Sequence, residues 1–407
     1  MKDRTAIDTL RGYFYQFDSS ILEILNLGKL TDEITIEGIE DIDVASATET
    51  TAIQYKYYEK TEYYHSVIAK PIRLMLDHFK EVKDGRKHKV NYKLYGYFRS
   101  GQSKLTVPID LLTLKDKFLT YTEAKTKTHH YLKLSLNDND LDDFLGLLEV
   151  DVNGKEFEEQ FREVISFFKR QFNCSEFVAE HFYYNNALRI IKDLSKEHDI
   201  TERKITKNTF LSKLDTSSIL YNEWFILRKG KKAYFSALRK EYFTDLNISP
   251  FERFFLIKIN EDGYTRQELK EIIFLISKKW AKVHKRYTDK IPHPFSPYIY
   301  IHGISETELI ELKNDLQNDD FIFSDGYNFL GAQFNVTSII SKPERINPIR
   351  IKMINTIQNL QESIKTILKT KNIFQFYLTD PFFNYDNTAV KHIKIKITKL
   401  SDIKHII

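Results

Sequence analysis

The chain has 407 residues, 42% of them apolar and 29% charged, and a formal net charge of +4 at pH 7. That length exceeds one ordinary core and implies two or three domains, while the balance excludes a disordered chain and an overall polycation. No run of about 18 apolar residues could cross a bilayer, the opening MKDRTAID lacks the apolar core of a signal peptide, and the single cysteine, Cys174, excludes a disulfide framework or a multi-cysteine zinc module. A cytoplasmic protein is expected, with any metal held by oxygen or nitrogen.

In chain order, residues 5–27 place Ile7, Leu10, Phe14, Phe17, Ile21 and Ile24 at steps of three and four, which predicts a helix with one apolar face ending near Gly28. Gly12 and Gln16 are four apart and lie off that stripe. Residues 35–44 and 51–58 read as two strands joined by a short polar loop, 63–82 as a helix, 90–98 as a third strand and 99–104 as a mobile basic loop. From Leu141 to Leu214 the apolar spacing is helical. Beyond Ser217 the pattern is mixed. Strands are expected at 224–227, 254–259, 298–302, 321–323, 334–340, 373–378 and 393–397, and helices at 265–284 and 348–370. The fold class is therefore α+β, with a small α/β domain over 1–135, a helical region over 141–215 and a mixed α/β domain over 217–407.

The chemistry concentrates in Gly38 to Val44 (GIEDIDV) and Ile53 to Tyr58 (IQYKYY). Side chains alternate along a strand, so Ala52, Gln54 and Lys56 share one face and Ile53, Tyr55 and Tyr57 the other. An amide and an amine set side by side on a buried strand cost several kcal/mol, roughly, without a partner, and Asp43 with a bound cation would supply one. Asp43 is the expected principal metal ligand. Gln54 offers a carbonyl oxygen; Glu40 and Asp41 flank the site, and by alternation Asp41 faces with Asp43 and is the better second ligand, with Glu37 on that side as well. Lys56 has the reach and charge to orient a water or to neutralise charge on a phosphate. Gln16, from the first helix, could position water or ligand. The plain structural alternative is an edge-strand ion pair between Asp43 and Lys56 with Gln54 solvated.

The order of helix, Asp strand and Gln-x-Lys strand within 56 residues resembles the PD-(D/E)xK phosphodiesterases, in the branch with Gln in place of the usual Glu. Gly12-Tyr13-Phe14-Tyr15-Gln16 is similar to the opening helix of Mrr-like restriction nucleases and of the double-stranded DNA endonuclease domain of CBASS anti-phage effectors. Related domains serve Lamassu-type and HerA-associated defence systems. The resemblance covers about residues 1–100. It implies a restriction-endonuclease-like domain, Mg2+ with Mn2+ as a substitute, double-stranded DNA as substrate, and catalytic roles for Asp43, Gln54, Lys56 and Gln16 with Asp43, Gln54 and Asp41 on the metal. In that family restraint comes from a partner ATPase or a ligand-sensing domain. The chain carries no G-x-x-x-x-G-K-S/T loop of its own, and the region after Ser217 shows no recognisable nucleotide-sensing module of the CBASS type. A partner-controlled effector is therefore expected, with a homo-oligomer or a HerA-like or SMC-like ATPase bringing two centres together. A non-catalytic DNA-binding or scaffold subunit and an RNA-directed nuclease are the alternatives.

Three basic stretches are further candidates. Arg99 to Lys104 is nearest the proposed site. Lys278, Lys279, Lys282, Lys285 and Arg286 surround Trp280, which could stack a base, or they form the solvated face of an amphipathic helix. Arg228 to Lys232 reads as a hairpin turn between strands. His129 and His130 show no ligand spacing, and Cys174 reads as a packed thiol.

Overall fold

A computed structural model of the protein describes residues 6–46, 49–123, 125–244, 252–260, 263–283, 294–329, 331–344, 346–369, 371–385 and 390–407. The chain forms two compact units, Met1–Asp215 and Thr216–Ile407, both of mixed α and β structure.

Unit 1 runs α1 (Ala6–Asn26), β1 (Glu33–Ile36), β2 (Ile42–Ala45), β3 (Thr50–Glu62), α2 (His65–Lys83), β4 (Asn91–Ser100), α3 (Leu111–Thr113), β5 (Thr120–Glu123) and β6 (Thr126–His129). It continues with α4 (His130–Lys133), α5 (Asp138–Leu145), β7 (Leu148–Asp151), α6 (Phe157–Gln171), α7 (Glu176–Val178), α8 (Asn185–Ser195), β8 (Lys204–Thr206) and α9 (Lys207–Leu214). Its main sheet has the order β7-β4-β3-β2-β1-β8. Strands β3, β4 and β7 are parallel, and β3, β2, β1 and β8 are antiparallel in turn.

Alternation along β3 and β4 divides the core. Ile53 and Tyr55 pack with Tyr15, Ile21 and Ile24 of α1 and Val164 and Phe168 of α6, whereas Ala52, Tyr92 and Leu94 pack with Ile68, Ile72 and Met75 of α2. The expected helical region over 141–215 is thereby corrected. It supplies β7 and β8 to opposite edges of the sheet, α6, α8 and α9 close the α1 side, and the end of α5 packs on the α2 side through Leu141 and Phe144, so the region is part of unit 1 and not a separate body. The short strands escaped the helical spacing because only three or four residues of each pair.

The apolar stripe of α1 holds only in its second half. Ile7, Leu10 and Phe14 are exposed, and the buried face there is Tyr15, Asp18, Ser19 and Ser20, because α6 meets α1 through polar bonds: Gln160 Nε2 donates to the Tyr15 carbonyl at 2.8 Å and to Ser19 Oγ at 3.0 Å. Asp18 sits in this seam and accepts from the Tyr184 hydroxyl at 2.8 Å, while its second oxygen is buried with no partner among the described residues. Burial raises its carboxyl to about 7 from the usual 3.8. The folded state thus binds a proton that the unfolded chain releases near pH 4, and stability falls as pH rises from about 4 to 7, by about 4 kcal/mol at most. Asp18→Asn should flatten that decline. Denaturation midpoints at pH 4.5 and pH 8 check it, and an unchanged slope would remove Asp18 as its source.

Unit 2 runs α10 (Ser217–Lys229), α11 (Lys231–Tyr242), β9 (Glu252–Lys258), α12 (Arg266–Trp280), β10 (Tyr298–His302), α13 (Glu306–Asn318) and β11 (Phe323–Ser324). Then follow α14 (Val336–Ile340), β12 (Ile351–Ile354), α15 (Ile357–Thr366), β13 (Lys371–Tyr377), β14 (Val390–Lys396) and α16 (Ile403–Ile406). All six strands are parallel, in the order β11-β12-β10-β9-β13-β14. Such a sheet is covered on both faces, which is why Phe254, Phe255, Leu256 and Ile257 are all fully buried.

Several expected elements change type here. Residues 224–227 are helical in α10, with Phe225 and Ile226 turned to the core and Trp224 and Leu227 exposed. Residues 334–340 contain α14, and 348–370 divide into β12 and α15. A short apolar run such as Ile351 to Ile354, buried at every position, has no period that separates strand from helix. Residues 228–232 join two helices, not two strands, around Gly230, whose φ of +82° stops α10.

Candidate active site

The expected single strand over 35–44 is two antiparallel strands, β1 and β2, joined by a turn. Glu37 adopts φ of +51°, its amide donates to the Asp41 carbonyl at 2.8 Å, and the chain reverses through GIED. Asp43 pairs with Ala52 and Ile42 with Ile53, so Asp43, Ala52, Gln54 and Lys56 lie on one face of the sheet, the α2 side. Lys56 pairs with Gly96 of β4, where a Cβ would meet the Phe98 ring at 3.1 Å.

Asp43 is 7% exposed and its carboxylate is turned back into the turn. Oδ2 accepts from the Ile39 amide at 2.7 Å and Oδ1 from the Glu40 amide at 3.4 Å. The approach is so close that a Cβ on Gly38 would stand 2.0 Å from Oδ2. Burial raises the Asp43 carboxyl, opposed by those two amides and by Lys204 of β8.

Asp41, one step past the last paired residues, bridges the helix and the strands. Its Oδ2 accepts from Gln16 Nε2 of α1 at 2.8 Å and from the Tyr55 amide of β3 at 2.8 Å. Sequence alternation placed Asp41 second to Asp43; the structure gives Asp41 the link to Gln16 and Asp43 the turn. Gln54 is 7% exposed, and its Nε2 is buried without a hydrogen-bond partner among the described residues.

Glu40 emerges as a further member. Burial, then the carboxylate of Asp41, raise it to about 7, against the pull of Lys56; Asp43 and Glu37 add to the rise. Glu37 is likewise raised, by burial and Asp41, with Arg203 and Lys56 opposing. Lys56 is therefore the cation that Glu37 and Glu40 share, Arg203 acts on Glu37 as well, and Lys204 acts on Asp43. The density of acids in GIEDID was the sequence signal for Glu40. Arg203 and Lys204 carried none, because they reach the site only by the pairing of β8 with β1.

Oxygen donors of this kind suit a hard divalent cation. Among the described residues no three His, Cys, Asp or Glu side chains already converge as a metal cage. A magnesium ion, which keeps several waters, would need only one or two of these carboxylates together with substrate phosphate. The orphaned Gln54 amide fits too, since half a turn about its last bond presents the carbonyl oxygen in the same place.

The remaining expected contacts are dispersed. Arg99 is exposed at the end of β4. Arg99 and Ser100 end β4, Gly101 leads into a single 3-10 turn over Gln102–Lys104, and the Lys104 amine is bound to Glu62 at 2.5 Å and lies 3.8 Å from the centre of the Tyr64 ring. Trp280 cannot stack a base: it is 1% exposed, packed on Phe243 and Phe255 with Arg253 over its ring. The Lys279 amine donates to the Ile407 carbonyl at 2.8 Å. Lys285 and Arg286 lie outside the described residues. Cys174 is half-buried, and burial raises its thiol, in keeping with a packed role. His130 bonds Asp77 at 2.8 Å and His129 bonds Thr120 at 3.0 Å.

No family model and no curated protein matches the chain. Among solved structures it is similar to the Acinetobacter baumannii Cap4 SAVED/CARF-domain containing receptor with the cyclic trinucleotide 2'3'3'-cAAA, at 9% identity and a TM-score of 0.30 over 96% of this chain and 91% of that one. The same receptor with 3'3'3'-cAAA gives 10% identity and a TM-score of 0.29 over 97% and 93%. Likeness at that level leaves the chemistry of the site to its residues.

Proposed function

We propose that unit 1 is a restriction-endonuclease-like domain that hydrolyses DNA phosphodiesters with magnesium, and that the protein is the nuclease effector of an anti-phage defence system. The observation that carries the chemical part is Asp41, fixed between Gln16 of α1 and the β3 backbone beside Gln54 and Lys56. The defence role draws on the resemblance of GYFYQ to the opening helix of such effectors' nuclease domain, beside the PD-(D/E)xK pattern of GIEDIDV and IQYKYY.

Asp41, Gln54 and Glu40 would hold the metal, with Asp43 either completing that set or serving the turn that presents it. When bound, magnesium supplies a Lewis acid for the scissile phosphate and lowers the pKa of a water. Lys56 orients that water or meets charge developing on the phosphate. Gln16 keeps Asp41 in place, and Asp43 holds the Gly38–Glu40 turn through its two amide contacts. One such centre cuts one strand, so a double-strand break calls for two, brought together in a homo-oligomer or by a partner ATPase.

The alternative, a non-catalytic DNA-binding subunit, draws on the same amide contacts, which occupy Asp43. Purified protein incubated with supercoiled plasmid separates the two: nicking or linearisation in Mg2+ or Mn2+ that EDTA abolishes is the expected result. No cleavage under any metal, with DNA binding retained, would favour the alternative. A parallel RNA substrate identifies the preferred sugar.

A further inference from the structure

Unit 2 contains a cavity of about 650 Å3 between α11 and the segment that ends in α16, lined by Lys231, Lys232, Phe235, Arg239, Lys399 and His405. Its walls are built, not incidental. Asp402, 1% exposed, accepts from the Thr398 amide at 2.8 Å, the Thr398 hydroxyl at 2.9 Å and the Lys399 amide at 3.2 Å, which locks the turn carrying Lys399. The same carboxylate pairs with Lys231 at 2.7 Å and so ties α11 to that turn. Arg239 donates to the His405 carbonyl at 2.5 Å and holds the other end.

Lys231 and Arg239 are thus spent on the walls. The side chains of Lys232, Lys399 and His405 are exposed and make no hydrogen bond or ion pair among the described residues. Asp402, the one carboxylate in the lining, is already neutralised by Lys231. Two unpaired amines and an imidazole around an aromatic floor at Phe235 call for a ligand with several anionic oxygens, and lysine meets phosphate as a point charge without demanding a planar partner. The volume falls in the range of small-molecule sites, about 300–1,000 Å3, and is far too large for one phosphate ion.

We propose that this cavity binds a phosphate-bearing ligand larger than a single phosphate, gripped by Lys232, Lys399 and His405. The phosphates could come from a nucleotide or from a nucleic-acid backbone, and the site stands apart from the chemistry proposed for unit 1.

The test uses the full chain in EDTA, so that binding is read without cleavage, with inorganic pyrophosphate, ADP and a short DNA duplex as probes. The double variant Lys232→Glu/Lys399→Glu, and the milder Lys232→Gln/Lys399→Gln, are exposed changes that should leave the fold intact by circular dichroism. Loss of pyrophosphate affinity by about tenfold or more in the Glu variant, and less in the Gln variant, is expected. A parallel loss for the duplex, with a salt dependence shallower by about two charges, identifies a backbone. A loss for ADP with duplex binding untouched identifies a nucleotide. Wild-type and variant affinities that coincide for all three probes would overturn the proposal, as would a wild type that binds none of them.

Discussion

Lys56→Ala and Asp41→Asn are each expected to lower metal-dependent DNA cleavage by about 100-fold or more, the scale on which a group that stabilises transition-state charge acts, while leaving the fold intact. Lys56 is half-buried and has a glycine, Gly96, as its neighbour across the strands, so its truncation opens no sealed core. Asn at 41 keeps an acceptor for Gln16 and the Tyr55 amide but gives up the charge. The useful contrast is Asp43→Ala. It strips the acceptor from two amides that hold the turn, so it should reduce cleavage together with stability, whereas the first two variants reduce cleavage alone. Plasmid assays beside denaturation curves make the comparison. Wild-type cleavage by both Lys56→Ala and Asp41→Asn would discard the site.

Gly38→Ala is expected to act as strongly without touching a polar group. The new Cβ would fall 2.0 Å from Asp43 Oδ2 and 2.8 Å from its Cγ, which no side-chain adjustment short of leaving the turn relieves. The Asp43 carboxylate must then give up Ile39 and Glu40. Destabilisation of about 1–3 kcal/mol is expected, with cleavage falling because Glu40 and Asp41 belong to the displaced turn. Because the clash is with a side chain, Gly38→Ala/Asp43→Ala should cost less than the sum of the two single changes. Simple additivity in denaturation midpoints would show that the turn tolerates the methyl and that Asp43 is not what requires glycine.

Much of unit 1 was legible before folding. The α2 and β4 segments, the two-residue alternation through Gln54 and Lys56, and the pairing of a carboxylate strand with them all follow from local periodicity. What was hidden depended on distance along the chain. The strands β7 and β8 are three or four residues long and make sense only against β4 and β1, more than 50 and more than 160 residues earlier. The exposed first turns of α1 were hidden because a period predicts a face, and only the partner decides whether that face is covered.

In unit 2, Trp280 shows the same limit from the other side. Lysines around a tryptophan read equally as a nucleic-acid grip or as the rim of a buried ring, and packing against Phe243 and Phe255 chose the second.

By itself the amino-acid order determined the chemical inventory: oxygen donors and one amine on two adjacent extended segments, no cysteine cage, and no phosphate loop. Only the tertiary structure decided how the acids divide their work. Asp41 and Asp43 are chemically identical and two residues apart, yet the reversal at Glu37 and the missing side chain at Gly38 turn one carboxylate back on its own turn and hand the other to Gln16. The physical reason is that a carboxylate goes where donors are, and those donors are brought there by the chain reversal and by the packing of α1 against β3.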